Sequence, residues 1–311
     1  MTKQRSIYLL ALLYAIIIGF SFLFTKIALQ FADPIDTLAY RFTLSFLVMG
    51  VAAWAGWIKI DWQGRKWWRL LPIGLLYPTL FFGFQVYGLD LMSSSEAGIF
   101  QATGPIFTLF LASLLLKERA TWTQKLSVMC SVGGVIYIMA QSGASVHDTS
   151  IVGVVLLLVS TVSLSLYGVY VRRFKEGYTS IQMSFVMMLV GCLVFNALAI
   201  GKHSYEGTMN RLWEPLTELD FILPLLYIGI MSSLVSSLLS NYLLSKMEAF
   251  KMSMFVNLGT FVSIAAGVLF LHERLEGYHI VGALLIVGGV LGVTSRKRKR
   301  IGNRALEVKA G

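Results

Sequence analysis

Several polar side chains stand inside long apolar stretches of this sequence, where each needs a hydrogen-bonding partner. An amide cannot satisfy all of its donors and acceptors within one helix, so it requires another helix, water or a bound molecule. Tyrosines in the same stretches add aromatic surface with one polar atom. We interpret six such residues as candidates for binding a small molecule: Gln85, Tyr87, Gln101, Tyr167, Asn241 and Asn257. Helix packing is the alternative reading of each.

Two prolines also stand within apolar stretches that are long enough to be helices. Pro78 and Pro105 each lack a backbone N–H and leave a carbonyl of the preceding turn without its helical donor. Such a position serves as a hinge or as a ligand contact, and a fixed kink without either role fits the sequence equally well.

Four charged residues, Lys26, Arg41, Asp90 and Glu96, stand near the ends of the first four apolar stretches. Their positions predict one layer at similar depth, in which two cations balance two carboxylates or receive the carboxylate of a substrate. We interpret the layer as a gate, with Glu96 as the candidate for proton coupling. The alternative is that Lys26 and Arg41 extend to the membrane interface, where long basic side chains reach water.

The stretches that carry these residues have the composition of a protein surrounded by lipid. Of the 311 residues, 56% are hydrophobic and 14% are charged, whereas a soluble domain has roughly 25% charged residues. Apolar runs of about 20 residues, enough to cross a bilayer, recur along the chain. They predict an all-α membrane protein with ten transmembrane helices: Ile7–Leu29, Ile35–Trp57, Leu70–Met92, Ser94–Leu116, Thr123–Gln141, Ser150–Val171, Ser180–Gly201, Phe221–Ser245, Met247–Leu271 and Tyr278–Thr294.

The distribution of basic residues predicts the orientation. With the N-terminus in the cytoplasm, 21 of the 26 Lys and Arg residues lie on the cytoplasmic side and three lie outside. This asymmetry is the usual one for membrane proteins, and it places both termini in the cytoplasm. The net charge of +10 is thereby accounted for, the basic tail 296–311 is assigned to anionic lipid, and no nucleic-acid partner is expected.

The sequence repeats itself with an offset of 155 residues. Lys117-Glu118-Arg119 corresponds to His272-Glu273-Arg274, Val132-Gly133-Gly134-Val135 to Val287-Gly288-Gly289-Val290, and Gly104 to Gly259. Five helices repeat once, and because five is odd the second set runs in the opposite sense. We therefore predict two inverted five-helix repeats, 1–145 and 146–295, an architecture suited to alternating access.

Enzyme classes lack their motifs in this sequence. It contains no GxGxxG, P-loop, HExxH or GxSxG pattern. The four histidines fall in loops or at helix edges, and Cys130 and Cys192 have neither CxxC spacing nor a histidine nearby. We therefore expect no catalytic residue, no metal and no cofactor.

The chain resembles the EamA-type members of the drug/metabolite transporter superfamily over nearly its whole length. The resemblance is carried by G-F-S-F-L-F-T-K at Gly19–Lys26, Arg41-Phe42, Glu96-Ala97 with Pro105, and the two Glu-Arg pairs that precede Val-Gly-Gly-Val. Ile18 and Thr260 depart from the pattern, in which Trp and Pro are common.

The resemblance implies a multi-pass carrier of the bacterial inner membrane, commonly an exporter of amino acids or other small metabolites. Two alternatives remain: a carrier or flippase for a lipid-linked or amphipathic compound, and a membrane-embedded enzyme. The expected partners are a small-molecule substrate and the lipid bilayer. Gly288-x-x-x-Gly292 and Cys130-x-x-x-Gly134 fit close helix packing, either within a monomer or in a homodimer.

Overall fold

The computed structural model describes residues 2–62, 64–91, 103–117, 120–141, 151–174, 177–270 and 277–294. These residues are almost entirely helical, and no strand occurs among them. The helices are α1 (Thr2–Ala28), α2 (Pro34–Trp54), α3 (Trp67–Leu70, Leu71–Gly74, Leu75–Leu80 and Phe81–Asp90), α4 (Gly104–Leu116), α5 (Trp122–Gln141), α6 (Ile151–Phe174), α7 (Ser180–Glu206), α8 (Leu219–Leu226, Tyr227–Val235 and Ser236–Lys246), α9 (Ala249–Phe270) and α10 (Gly277–Thr294). A 3-10 segment, Met209–Thr217, joins α7 to α8. The predicted all-α class is confirmed for the described residues.

Six helical stretches in the described part of the chain are long and apolar enough to cross a membrane. They are Gln4–Thr25, Pro34–Trp54, Trp67–Gly88, Ile151–Phe174, Ser180–Glu206 and Leu219–Lys246, and Gly104–Leu116 and Ile280–Gly292 are shorter apolar helices. Large apolar side chains such as Leu9, Trp54 and Leu126 are exposed, as lipid contact requires. The number of ten spans and the side of each terminus stay predictions, and the tail 296–311 lies outside the described residues.

Two helices are irregular at corresponding places in the two halves. In α3 the backbone leaves helical geometry at Tyr77, with φ −144° and ψ 116°, directly before Pro78 and within a π-type turn over Leu75–Leu80. In α8 a π-type segment over Tyr227–Val235 follows Pro224. Such turns leave helical backbone groups irregularly paired and often mark functional sites. Pro78 therefore lies at a real break in a helix, and its role as a hinge stays a prediction.

Helices of one half pack against helices of the other in matching pairs. α1 packs on α9 as α6 packs on α4, while α2 packs on α7 and α5 on α10. At Gly104 on α4 an added Cβ would lie 3.5 Å from Thr161 Cγ2 on α6. At Gly259 on α9 it would lie 2.7 Å from Ile18 Cγ1 and 3.2 Å from the Ala15 carbonyl on α1. Two residues that are 155 positions apart thus occupy equivalent helix crossings.

The crossing of α5 and α10 is closed by glycines from both halves. A Cβ at Gly134 would lie 2.8 Å from the Gly282 carbonyl oxygen, and one at Gly289 would lie 2.6 Å from the Ser127 carbonyl oxygen. Gly292 also faces Ser127. Gly134 and Gly292 of the two small-residue motifs thus lie at a contact between helices of one chain, whereas Gly288 has open space beside it and its neighbour Gly289 makes the close backbone approach.

Candidate functional site

A small cavity lies between α1, α4, α6, α8 and α9. Its volume is 40 Å³, room for a few water molecules at most. Pockets for small-molecule ligands start at roughly 300 Å³, so a substrate requires the helices to move apart. Polar side chains that line the cavity include Tyr14, Thr108, Ser165, Tyr167, Ser240 and Asn257. We call it the central cavity.

Tyr167 and Asn241 form a buried hydrogen-bonded group beside the central cavity. The Tyr167 hydroxyl lies 3.0 Å from Ser240 Oγ and 3.0 Å from Asn241 Oδ1. The Asn241 Nδ2 donates to Ser184 Oγ at 2.8 Å. Tyr167 and Asn241 are 3% and 0% exposed. The group joins α6, α7 and α8, so Asn241 links three helices, while Tyr167 also faces the cavity.

Asn257 and Pro105 lie on the opposite wall, on α9 and α4. Asn257 is buried. Pro105 belongs to the first turn of the described helix α4, where a missing N–H costs no helical hydrogen bond. Residues 92–102, which precede it, lie outside the described residues, so the role of Pro105 as a hinge stays a prediction. Thr108 holds this end of α4 to α6 through a 3.1 Å contact with Ser165 Oγ.

Arg41 is buried in α2 with only neutral partners among the described side chains. Its Nε donates to Ser233 Oγ at 2.5 Å, and its Nη2 donates to Ser232 Oγ at 2.8 Å. Its Cζ lies 4.6 Å from the centroid of the Phe82 ring, within the range of a cation–π contact. The side chain is 4% exposed. No described carboxylate lies within 4.0 Å of it.

An aromatic row connects Arg41 to the central cavity. Phe82, under the guanidinium, lies 5.4 Å from Tyr77, and Tyr77 stacks on Tyr167 with ring centroids 4.9 Å apart. The break in α3 positions Tyr77 for this contact, because its extended backbone carries the side chain out of the helical face. The row, Phe82–Tyr77–Tyr167, thus joins a buried cation at one end to a polar cavity at the other.

The remaining predicted site residues lie elsewhere. Gln85 is buried in α3 and makes no hydrogen bond to another described residue, whereas Tyr87 is 52% exposed on the same helix. Gln101 and Glu96 lie outside the described residues. Lys26 and Asp90 belong to α1 and to the end of α3, and their side chains lie outside the described part. The four-charge layer therefore stays a prediction.

Sequence reasoning missed a second recess, which we call the vestibule. It has a volume of 440 Å³ and is lined by residues from the α1–α2 connection, the end of α7 and the following 3-10 segment. Asp36 and His203, both buried, lie at its wall with His203 Nε2 3.0 Å from Asp36 Oδ2. The polarity of Asp36, two residues after Pro34 at the start of an apolar stretch, was the available signal. No described group of three or more His, Cys, Asp or Glu side chains is arranged to hold a metal ion.

Comparison with known proteins identifies the family. The EamA-like transporter family matches residues 5–140 and again residues 151–295. The chain is 44% identical over 303 residues to the uncharacterised transporter YcxC of Bacillus subtilis strain 168, covering 96% of this chain and 97% of the relative. It is 22% identical over 300 residues to a protein of Escherichia coli K12 named a probable amino-acid metabolite efflux pump, covering 94% and 98%.

The fold also matches a solved structure. A crystal structure of a protein that is 19% identical superposes with a TM-score of 0.74, covering 97% of this chain and 99% of the other. The resemblance stated from the motifs is confirmed, because two copies of one family pattern account for nearly the whole chain. With its apolar helices and its buried polar cavity, the chain belongs to the EamA-like transporter family and is a membrane transporter.

Proposed function

We propose that this transporter moves small carboxylate-bearing metabolites, amino acids or related compounds, out of the cell across the bacterial inner membrane by alternating access. The observation that carries the proposal is Arg41, a buried guanidinium whose described partners are two hydroxyls, a carbonyl and aromatic rings. A buried cation is costly, and no carboxylate lies beside this one among the described residues, so the described part of the site favours an anionic group on the ligand.

The surroundings of Arg41 fit a solute with an apolar body. The aromatic row Phe82–Tyr77–Tyr167 runs from the guanidinium to the hydroxyls and amides of the central cavity. An amino acid offers a carboxylate to Arg41, an ammonium group to a neutral oxygen beside it such as the Ser232 carbonyl, and an apolar side chain to the rings. Arginine suits carboxylates because its planar fork pairs with both oxygens.

Alternating access is supported by the symmetry of the helix pairs and by the breaks in α3 and α8. The two broken helices contribute Tyr77 and Ser232–Ser233 to the surroundings of Arg41, so bending at either break changes the site directly. Discontinuous helices in corresponding positions of two inverted repeats are typical of sites in secondary transporters. The relative named as an efflux pump supports export as the direction.

The test is counterflow in proteoliposomes with a panel of labelled amino acids and other carboxylates. We expect uptake of at least one of them by the wild-type protein. Arg41→Gln should lower that uptake roughly tenfold or more, since a hydrogen bond to a charged group is worth about 1.5–3 kcal/mol. Arg41→Lys should retain part of it. Arg173→Gln, which removes an exposed charge from α6, is the matched control and should transport normally.

Two outcomes contradict the proposal. One is unchanged counterflow by folded Arg41→Gln protein. The other is no counterflow of any carboxylate together with movement of a fluorescent lipid between leaflets, which would identify a carrier for amphipathic compounds.

A further inference from the structure

Asp36 and His203 form a buried ionisable pair in the wall of the vestibule. Asp36 lies in the first turn of α2 and His203 in the last turn of α7, with 3.0 Å between Oδ2 and Nε2. The side chains are 8% and 5% exposed. Imidazole is the side chain that ordinarily changes its charge between about pH 5 and 8. The vestibule, which the pair lines, shares no lining residue with the central cavity.

The second nitrogen of the His203 ring has a partner that can form a hydrogen bond with it whether the ring is neutral or protonated. Nδ1 lies 2.7 Å from Thr208 Oγ1. A hydroxyl both donates and accepts, so it donates to Nδ1 of the neutral ring and accepts from Nδ1–H of the protonated ring. Nε2–H donates to Asp36 in both states. His203 can therefore take a proton from vestibule water onto Nδ1 with no other covalent bond changed and no hydrogen bond lost.

The carboxylate of Asp36 gives the site its place for a positive charge. Its Oδ1 is buried and has no hydrogen-bond partner among the described residues. A buried carboxylate is costly unless cations or hydrogen-bond donors surround it, and a ring cation at 3.0 Å would supply both. Asp36 also lies in the first turn of α2, where the helix dipole favours negative charge.

Other charged groups around the pair do not replace the imidazolium. The titratable groups that face the vestibule or the pair are Asp33 and Tyr40 on the α2 side, Lys202 and Glu206 on α7, and Arg211 and Glu214 on the 3-10 segment. Lys202 is already paired with Asp33. Arg211 lines the same recess and forms no salt bridge to Asp36 among the described residues. The cation nearest to Asp36 is therefore the one that His203 itself supplies.

We propose that Asp36, His203 and Thr208 form a proton-binding site in the vestibule, by which the pH on that side of the membrane sets the strength of the contact between α2 and α7. Asp36 belongs to the first half of the chain and His203 to the second. Protonation turns a hydrogen bond from a neutral ring to a carboxylate into an ion pair between the halves. The site takes a proton rather than a metal ion, because it offers two metal-ligating side chains and no described third.

The test follows the charge of His203 directly, without a substrate. Protein labelled with ¹³C in its four histidines is purified in detergent, and the ring signals are recorded by NMR from pH 5 to pH 9. His203→Gln identifies the signal by its loss. We expect this signal to move reversibly between two chemical shifts in the folded protein. Asp36→Asn, which removes the carboxylate charge, should displace the midpoint.

Two further variants provide the same test if Asp36→Asn fails to fold. Thr208→Val removes the hydrogen-bond partner of Nδ1 and should also displace the midpoint, whereas Ser204→Ala, an exposed neighbour on α7, should leave it in place. A signal that does not change from pH 5 to pH 9 overturns the proposal, as does a midpoint that neither folded variant moves. Because no solute is used, this result is independent of whether carboxylates are transported.

Discussion

Gly134 and Gly289, which the 155-residue repeat makes equivalent, approach each other's helices at the same crossing, with added Cβ atoms only 2.8 Å and 2.6 Å from carbonyl oxygens of α10 and α5. Their chain neighbours Gly133 and Gly288 have no atom within 4 Å of an added Cβ. The same Gly-Gly pair therefore contains one residue that contacts the other half and one that does not.

This difference predicts opposite effects of alanine within each pair. Gly134→Ala and Gly289→Ala should each destabilise the protein by about 1–3 kcal/mol, because a backbone carbonyl cannot move aside as a side chain can. Gly133→Ala and Gly288→Ala should be neutral or stabilising by up to about 1 kcal/mol, since alanine favours a helix over glycine. Thermal unfolding in detergent measures the stability of all four variants. Equal effects of alanine at the two neighbouring glycines of a Gly-Gly pair would contradict the contact between α5 and α10 described here.

A second prediction concerns the hydroxyl of Tyr167. Tyr167→Phe removes the donor to Ser240 and Asn241 in a buried position, which should cost about 1–3 kcal/mol of stability. Tyr87→Phe is the matched control, because Tyr87 is 52% exposed, and it should unfold at the wild-type temperature. Equal unfolding temperatures for Tyr167→Phe and wild type would show that Asn241 finds another donor.

The C-terminal end of α8 gives a third prediction. Arg172 Nη1 donates to the carbonyls of Leu244 (at 3.2 Å) and Met247, where a helix end leaves acceptors without helical donors. Arg172→Gln should lower the unfolding temperature, with a loss of about 1–2 kcal/mol after screening at this partly exposed site. The exposed neighbour Arg173→Gln should have no such effect. A loss of the same size in both variants would indicate a general charge effect.

Orientation gives the fourth prediction. In a background with Cys130→Ala and Cys192→Ala, Tyr205→Cys should react with an impermeant thiol reagent outside intact cells, because Tyr205 is 92% exposed at the end of α7. Lys59→Cys, exposed beyond α2, should react only after permeabilisation. The expectation follows from the distribution of basic residues. The reverse pattern of labelling would place the vestibule in the cytoplasm.

The helical class and the apolar segments could be predicted from the sequence, because lipid imposes both. The serine stripe of α8, with Ser233, Ser236 and Ser240 at helical spacing, is buried as its pattern indicates. Gln85 and Tyr87 were harder to place. The π-type turn in α3 changes the rotation of every later residue, so an ideal helix does not indicate which of them faces inward.

The pair of Asp36 and His203 could not be predicted for a different reason. The two residues are 167 positions apart, and each stands near a helix end, where polar residues are expected in any case. Only the packing of α2 on α7 brings them together. Likewise, the hydroxyls that bind Arg41 lie on α8, whereas the layer proposed from the sequence assigned it to acidic partners on other helices.

The small volume of the central cavity also limits the passage of ions through the protein. A space of 40 Å³ holds too little water to form a column that would conduct a hydrated ion past these helices. Each elementary charge that crosses a membrane at 100 mV releases about 2.3 kcal/mol. The packing of the described helices around the central cavity thus opposes the passage of this charge, and the same separation of helices that admits a substrate would also open this path.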